Sequence, residues 1–590
     1  MRIICRALAL LLFALPALAD DVAEARKVFE GNLAAIHAHD RAKYLSYYLH
    51  SDRLVRGGPA GFSTGYDDFA KGAGSGWPDL LEADDIHLTP LQPGLVYGTY
   101  RYRVRYGADE HSGISERLFV KTPDGWKIAV TGAVDTPPGT PAPPRAIVGA
   151  TLIDGRGGAP MPNATIVMRD GKIDCAGACK VPEGIDVVDA KGMWVTPGLI
   201  DAHVHFSQTG WADGRPDSID VRATHPYETV IAENRRDPER YGRSYVCSGV
   251  TSVWDVGGYT WTLGLRDRFE NNTGVPHVEA AGPLLSTLDH WLNLPAERQF
   301  MVLKDEKSAR EEVKYLAAQG TSAVKVWWIV SPTLTVEGAA PAVAAAADEA
   351  HKHNLPLIVH ATGLAEAKAA LRNGANVLVH NVDDLPVDDE FIGLARDTHA
   401  ILIPTLTVVG GYGRMFHGVV DRKPPVVDDP NGCVDRATLA KVAETATLDA
   451  SLTSADRVGR MDQRVARIAA VSAANLKKLV DAGIPIATGT DAGNPLTLHG
   501  PAIYAEMEAM QKAGMTPMQV IVSSTAVAAR AMGHEKRAGT IEKGKDADLV
   551  LVAGDPSADV ANFRKVRYVV RSGVVRSIDD LHALAQNPQK

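Results

Sequence analysis

Eight short apolar runs recur between residues 198 and 491, separated by stretches of helical character. They are Gly198–His205, Val250–Trp254, His277–Gly282, Ala323–Val326, Leu357–His360, Val377–His380, Ala400–Pro404 and Pro485–Asp491. Apolar strands alternating with helices signal a parallel sheet covered on its faces, the α/β class. Eight such units close a (β/α)8 TIM barrel, and all their C-terminal ends then meet at one mouth. His205, Lys325, His360, His380 and Asp491 each stand at or near such an end. One polar residue ending a buried strand means little. Five with metal-ligand chemistry point to a metal centre.

His203 and His205 lie two apart in a strand and so share a face. Two imidazoles placed this way can grip one ion, which suits zinc and similar metals. Lys325 is the least intuitive member. Its plain role would be an ion pair at the barrel mouth, but burial also lowers an amine's pKa and makes it nucleophilic. A neutral amine captures carbon dioxide as a carbamate, a bidentate anion able to bridge two metals. Asp491 can bind a metal and accept a proton from a water that a metal has made acidic.

The string Thr196-Pro-Gly-Leu-Ile-Asp-Ala-His-Val-His205 resembles the first-strand signature of the amidohydrolase superfamily. Val-His-Ala-Thr-Gly363, Pro404-Thr-Leu406, Thr490-Asp-Ala-Gly493 followed by His499-Gly500, and Lys512–Pro517 are similar to its imidazolonepropionase-related group, which contains prolidase-like (Xaa-Pro dipeptidase-like) members. The resemblance spans about residues 145 to 580. It implies a binuclear hydrolase with two divalent ions, zinc by expectation. His203, His205 and Asp491 would hold one ion and His360 and His380 the other, with carboxylated Lys325 between them. The implied reaction is cleavage of an amide bond in a dipeptide or N-acyl amino acid by a metal-bridging hydroxide. A cyclic amide, lactone or ester is the alternative. Imidazolonepropionases proper use one metal and lack the lysine, so Lys325 points away from that reaction.

The sequence also departs from the group. Ser286–His290 replaces a Gly-Gly-His turn. His290 and His499 are candidate substrate contacts, though His499 reads equally as a helix-start histidine. Gly410–Arg436 reads as an elaborated loop, either a lid or solvated surface.

The flanks complete the organisation. Arg2 and Arg6 bracket an apolar run that ends in Ala17-Leu-Ala19, the pattern of a secretory signal over residues 1–19. The expected location is periplasmic or secreted, without a membrane anchor. Residues 20–135 open with a helical repeat at Val22, Ala25, Phe29, Leu33 and Ile36 and continue into alternating strands such as Tyr100–Tyr106. Helices followed by a sheet that ends in an Asp-Gly-Trp-Lys hairpin resemble an NTF2-like (SnoaL-like) domain, which implies an α+β cone that either holds a ligand or dimerises. A proline-rich linker covers 136–144. Short strands in 145–196 and 537–580 suggest a small β-sandwich built from both flanks of a 197–536 barrel.

Cys175 and Cys179 would form either a local disulfide or two thiols. Cys247 reads as a buried apolar residue and Cys433 as a loop thiol. A net charge of −9 over 590 residues, with no basic stripe, argues against nucleic acid as a partner. A small-molecule substrate is expected, with a homo-oligomer formed through the barrel or the N-terminal domain.

Overall fold

The computed structural model describes residues 4–58, 61–74, 76–107, 109–135, 142–289 and 292–586. The first three residues of the expected signal, residues 136–141 of the expected linker, and His290 lie outside them. The chain divides into two compact units: Met1–Thr140 with Pro182–Asp186 and Asn587–Lys590, and Pro141–Val181 with Val187–Gln586. Among the described residues no helix is long and apolar enough to cross a membrane.

In the first unit the helix Ile4–His37 places Ala25, Phe29, Asn32 and Ile36 on its buried side. Strands run in the order Gly61–Thr64, Val55–Gly58, Gly125–Asp135, Asp109–Thr122, Leu95–Tyr106, Leu80–Gln92. All neighbours are antiparallel except the second and third, which are parallel. Phe29, Tyr48, Tyr100, Phe119 and Ile128 share its core. The expected alternation holds at Tyr100 and Tyr102, then reverses: Arg105 is buried and Tyr106 exposed.

The second unit holds seven parallel barrel strands: Leu199–Val204, Val250–Asp255, His277–Ala280, Val324–Trp327, Leu357–His360, Val377–Val379 and Ile401–Ile403. Ladders join the first three and the last four. The third and fourth meet through the Ser322 amide, which donates to the Ala280 carbonyl at 2.9 Å. Ile200 on the first strand and Ile358 on the fifth stand on opposite sides of the ring, so the apolar cluster that includes both fills the barrel.

The eighth run, expected as a strand, makes only isolated bridges: Ile486 to Leu402 and Ala492 to Val204. At Gly489 a Cβ would come within 2.5 Å of Ile403 Cγ2 and 2.7 Å of His203 Cβ. The chain threads so close to its neighbours there that only glycine fits.

Two insertions escaped the strand count. Leu284–Ser286 pairs with Phe300–Val302 and with the fourth strand. Between the seventh and eighth strands the helices Val408–Val420, Arg436–Glu444 and Ala455–Asp481 intervene. The first part of the expected loop Gly410–Arg436 is therefore helical, since Val408, Gly411, Met415, Phe416 and Val419 form a buried stripe. Strands from both flanks join one sheet, in which Trp194–Pro197 pairs with both Arg145–Leu152 and Leu549–Val552.

Cys175 and Cys179 are disulfide-bonded. Cys247 and Cys433 are too, with Cα atoms 5.5 Å apart across 186 residues, which corrects the reading of a buried apolar residue and a loop thiol. Sequence spacing reveals only a local pair; this one depends on the fold bringing the end of helix Glu239–Cys247 to the loop before Arg436. Because the bond closes a long loop, Cys433→Ser is expected to lower stability by about 2–5 kcal/mol. Thermal unfolding of the variant against the parent, with and without reductant, checks this.

Candidate metal centre

The backbone puts the ligand-type side chains at one mouth. The Asp491 amide donates to the His203 carbonyl at 2.8 Å, and the His380 amide to the Ile403 carbonyl at 2.8 Å. His380, Thr405 and Asp491 have φ of 70°, 44° and 62°, the left-handed region that non-glycine residues seldom occupy. His380 directly follows its barrel strand, Thr405 stands two residues past the next, and Asp491 ends the eighth run. Such backbone cost persists where surrounding structure holds it, and it clusters at functional sites.

His203, His205, Lys325, His360, His380 and Asp491 all line one cavity of about 400 Å³. Asp491 Oδ1 lies 3.0 Å from His205 Nε2 and 3.4 Å from His203 Nε2. The His203 and His380 rings are 5.1 Å apart, and those of His360 and His380 4.4 Å. One ligand atom from each of His203, His380 and Asp491 falls within 4.8 Å of the others.

Electrostatics make these groups ligands rather than ions. Burial, reinforced by the Lys325 charge, holds His203 well below the usual histidine range and His360 at about 3. Burial and then His360 do the same to His380. Neutral imidazoles present lone pairs, so His203 facing Asp491 is not an ion pair but two ligand atoms turned toward one point. Burial pulls Lys325 down to about 7, against the pull of Asp491. Lys325 is 2% exposed, and among the described residues no carboxylate lies within ion-pair distance of it.

The ring orientations agree. His205 Nδ1 lies 2.6 Å from the Gly257 carbonyl, so it carries the proton and leaves Nε2 free to bind. His380 Nδ1 is held by Thr405 Oγ1 at 2.7 Å. This nitrogen, amine and carboxylate set fits divalent ions of the zinc type.

Three buried carboxylates brace the ring of ligands. Asp255 accepts from the amides of Phe206 at 3.0 Å and Gly257 at 3.1 Å, fixing the turn whose carbonyl orients His205. Asp201 accepts from Thr490 Oγ1 at 2.6 Å, the Thr490 amide at 2.9 Å and the His203 amide at 3.3 Å. Glu506 takes the amides of Leu406 at 2.7 Å and Thr407 at 3.0 Å, and the Thr407 hydroxyl at 2.9 Å. It thus clamps the turn next to Thr405, the partner of His380. Burial raises Asp201 and Glu506 to about 7 and Asp255 to about 6.

The other sequence candidates separate from the centre. His499 does not line the cavity. Its Nε2 sits 3.1 Å from the His205 carbonyl while its ring stacks on Tyr241, centroids 4.0 Å apart. It supports the first strand from behind. Of the stretch Gly410–Arg436, read as either a lid or solvated surface, only Tyr412 lines the cavity. Asp429 ties that loop through the Cys433 and Val434 amides, both at 2.8 Å.

Sequence reasoning missed the walls. Leu284, Phe300, Trp327 and Ile329 form one side; Val408, Tyr412, Met461 and Ile468 form another. Arg215, paired with Asp217 at 2.7 Å, places its guanidinium 5.7 Å from the centre of the Tyr412 ring. Only Asp201 left a readable trace, sharing the strand face of His203 by its two-residue spacing.

Glu506→Gln keeps the shape but sets an NH2 group against backbone donors. It is expected to weaken divalent-metal affinity about 10–100-fold, read by competition with a chelating dye. Unchanged affinity would remove Glu506 from the support of His380.

Comparison with known proteins bears on the fold and the family. An imidazolonepropionase of Geobacillus kaustophilus (strain HTA426) is 35% identical over 98 residues, 16% of this chain and 21% of that protein. The chain thus matches about a fifth of that curated relative's length. A solved Xaa-Pro dipeptidase with methionine in its active site superposes with a TM-score of 0.56 at 22% identity, covering 74% of this chain and 100% of that one. The A. niger ochratoxinase structure gives 0.54 at 21% identity, covering 74% and 96%. These two share the fold. Residues 194–576, more than half of the chain, match the Amidohydrolase family, and the chain belongs to that family.

Proposed function

We propose that this chain hydrolyses an amide bond of a small substrate, such as a dipeptide or N-acyl amino acid, at a centre of two divalent ions, zinc by preference. The observation that carries the reading is Lys325, a buried amine held near pKa 7 among neutral histidines. Its lone pair would add to carbon dioxide with loss of an N–H proton to water, and Lys325 so modified would supply an anionic ligand to the ions. His203, His205 and Asp491 would hold one ion, His360 and His380 the other. When bound, the ions supply Lewis acidity toward the substrate carbonyl and toward water. Asp491 takes the proton of the attacking water on its carboxylate and returns it to the departing nitrogen, which leaves as a neutral amine. The apolar walls exclude bulk water and favour an uncharged acyl portion.

The first unit reads as an NTF2-like domain, supported by a helix lying on a mixed sheet that ends in the Gly125–Asp135 strand. Residues 1–19 read as an export signal. Two disulfides suit the oxidising compartment to which it would lead.

Lys325→Ala is expected to reduce turnover to background on a panel of dipeptides, N-acyl amino acids and lactones, with metal content falling below two ions per chain by elemental analysis. Normal metal and activity in that variant would refute the carbamate. A panel on which only lactones turn over would refute the amide reading. The reacting amine is the neutral form, so reconstitution of metal-free protein with bicarbonate and zinc should slow as pH falls below about 7 and level off above it. Recovery of activity against pH measures this.

A further inference from the structure

The N-terminal unit buries a cation that the barrel chemistry does not use. Arg117, on the strand Asp109–Thr122, is 4% exposed, and Asn32, on the buried side of the first helix, is 0% exposed. Arg117 Nη1 donates to Asn32 Oδ1 at 2.7 Å, and Nη2 donates to the Tyr100 hydroxyl at 3.0 Å. The guanidinium lies 5.3 Å from the centre of the Phe29 ring and 5.2 Å from that of Tyr100. Every one of these partners is neutral. Among the described residues no Asp or Glu lies within ion-pair distance of Arg117, and the groups acting on it are the phenols of Tyr100, Tyr48 and Tyr44.

Two donors of this bonded pair remain unpartnered: Arg117 Nε and Asn32 Nδ2. The Arg117 bond to Oδ1 fixes which end of the Asn32 amide is which, so the free NH2 is not a matter of orientation. A guanidinium stays charged at any ordinary pH, and a buried charge without a counter-charge is costly. Aromatic rings relieve part of that cost, but they do not satisfy N–H donors.

We propose that Arg117 and Asn32 form a binding site for a small organic carboxylate. One negative charge matches the single cation, whereas a neutral ligand would leave the charge unpaired. A carboxylate accepts from the N–H groups of a guanidinium and an amide together. Phe29, Tyr44, Tyr48 and Tyr100 around the site favour an aromatic or aliphatic tail over an inorganic ion.

Isothermal titration of the full chain with sodium benzoate in chloride-free buffer tests this. Saturable binding is expected, and it should survive removal of metal by a chelator, which separates it from a carboxylate resting at the metal centre. Arg117→Met should weaken it at least about tenfold, and Asn32→Leu should weaken it as well. The proposal is overturned if benzoate does not bind, if chelation abolishes binding, or if chloride binds and benzoate does not. Where Arg117→Met fails to fold by thermal unfolding, Asn32→Leu carries the test, and unchanged affinity in that variant overturns the proposal.

Discussion

The seam between the first and eighth strands governs the rest of the barrel mouth. Backbone bonds cross it without a continuous ladder: the Ala202 amide donates to the Thr488 carbonyl at 3.0 Å, the Asp491 amide to the His203 carbonyl at 2.8 Å, and the His205 amide to the Ala492 carbonyl at 2.9 Å. Asp201 reinforces them by drawing in the hydroxyl and amide of Thr490 at 2.6 and 2.9 Å while also taking the His203 amide at 3.3 Å. One carboxylate thus registers both halves of the metal site. Its burial is unfavourable enough to raise its pKa to about 7, and those donors offset the cost. With the seam so fixed, Asp491 comes to face both histidines of the first strand.

A second cluster in the same unit shows what distinguishes a metal centre from an ion-pair network. His277, Asp546 and Asp548 also bring ligand atoms within 4.8 Å of one another. There Asp546 and Glu270 already hold cations. Arg537 donates to Asp546 at 2.6 Å and to Glu270 at 2.7 Å, Lys172 binds Asp546, and His277 lies 2.7 Å from Glu270. At the barrel mouth burial holds His203, His360 and His380 neutral and partly discharges the lysine. The His277 cluster holds carboxylates already paired with cations. The cluster at the mouth presents lone pairs converging on a cavity, which is what a divalent ion requires.

The six residues at the mouth were legible in the sequence because their signal is local. Each lies at or within two residues of the end of a short apolar run, and such a position can be read without folding the chain. The strand count was legible for the same reason, except at the eighth run, which makes only isolated bridges. What could not be read depends on tertiary contact. Cys433 looks like a loop thiol until the fold brings Cys247 to it. His499 looks like a ligand by residue type, and only its stacking on Tyr241 shows that it serves the first strand instead. Glu506 sits in an ordinary amphipathic helix, and its role appears only once the turn at Leu406 and Thr407 is placed beside it.

The cavity walls follow the same logic and bear on specificity. Leu284 and Phe300 come from the inserted strand pair before the fourth barrel strand, and Met461 and Ile468 from the long helix before the eighth run. Neither insertion is needed to close the barrel. Each can therefore change without disturbing the seam that positions the ligands, as expected where one scaffold carries many substrates. The Cys247–Cys433 bond ties the segment that leads into the long helix to the helix Glu239–Cys247. That restrains one base of a wall that otherwise depends on packing. Chemistry is set by strand ends locked to one another, whereas substrate choice is set by insertions anchored at a few points.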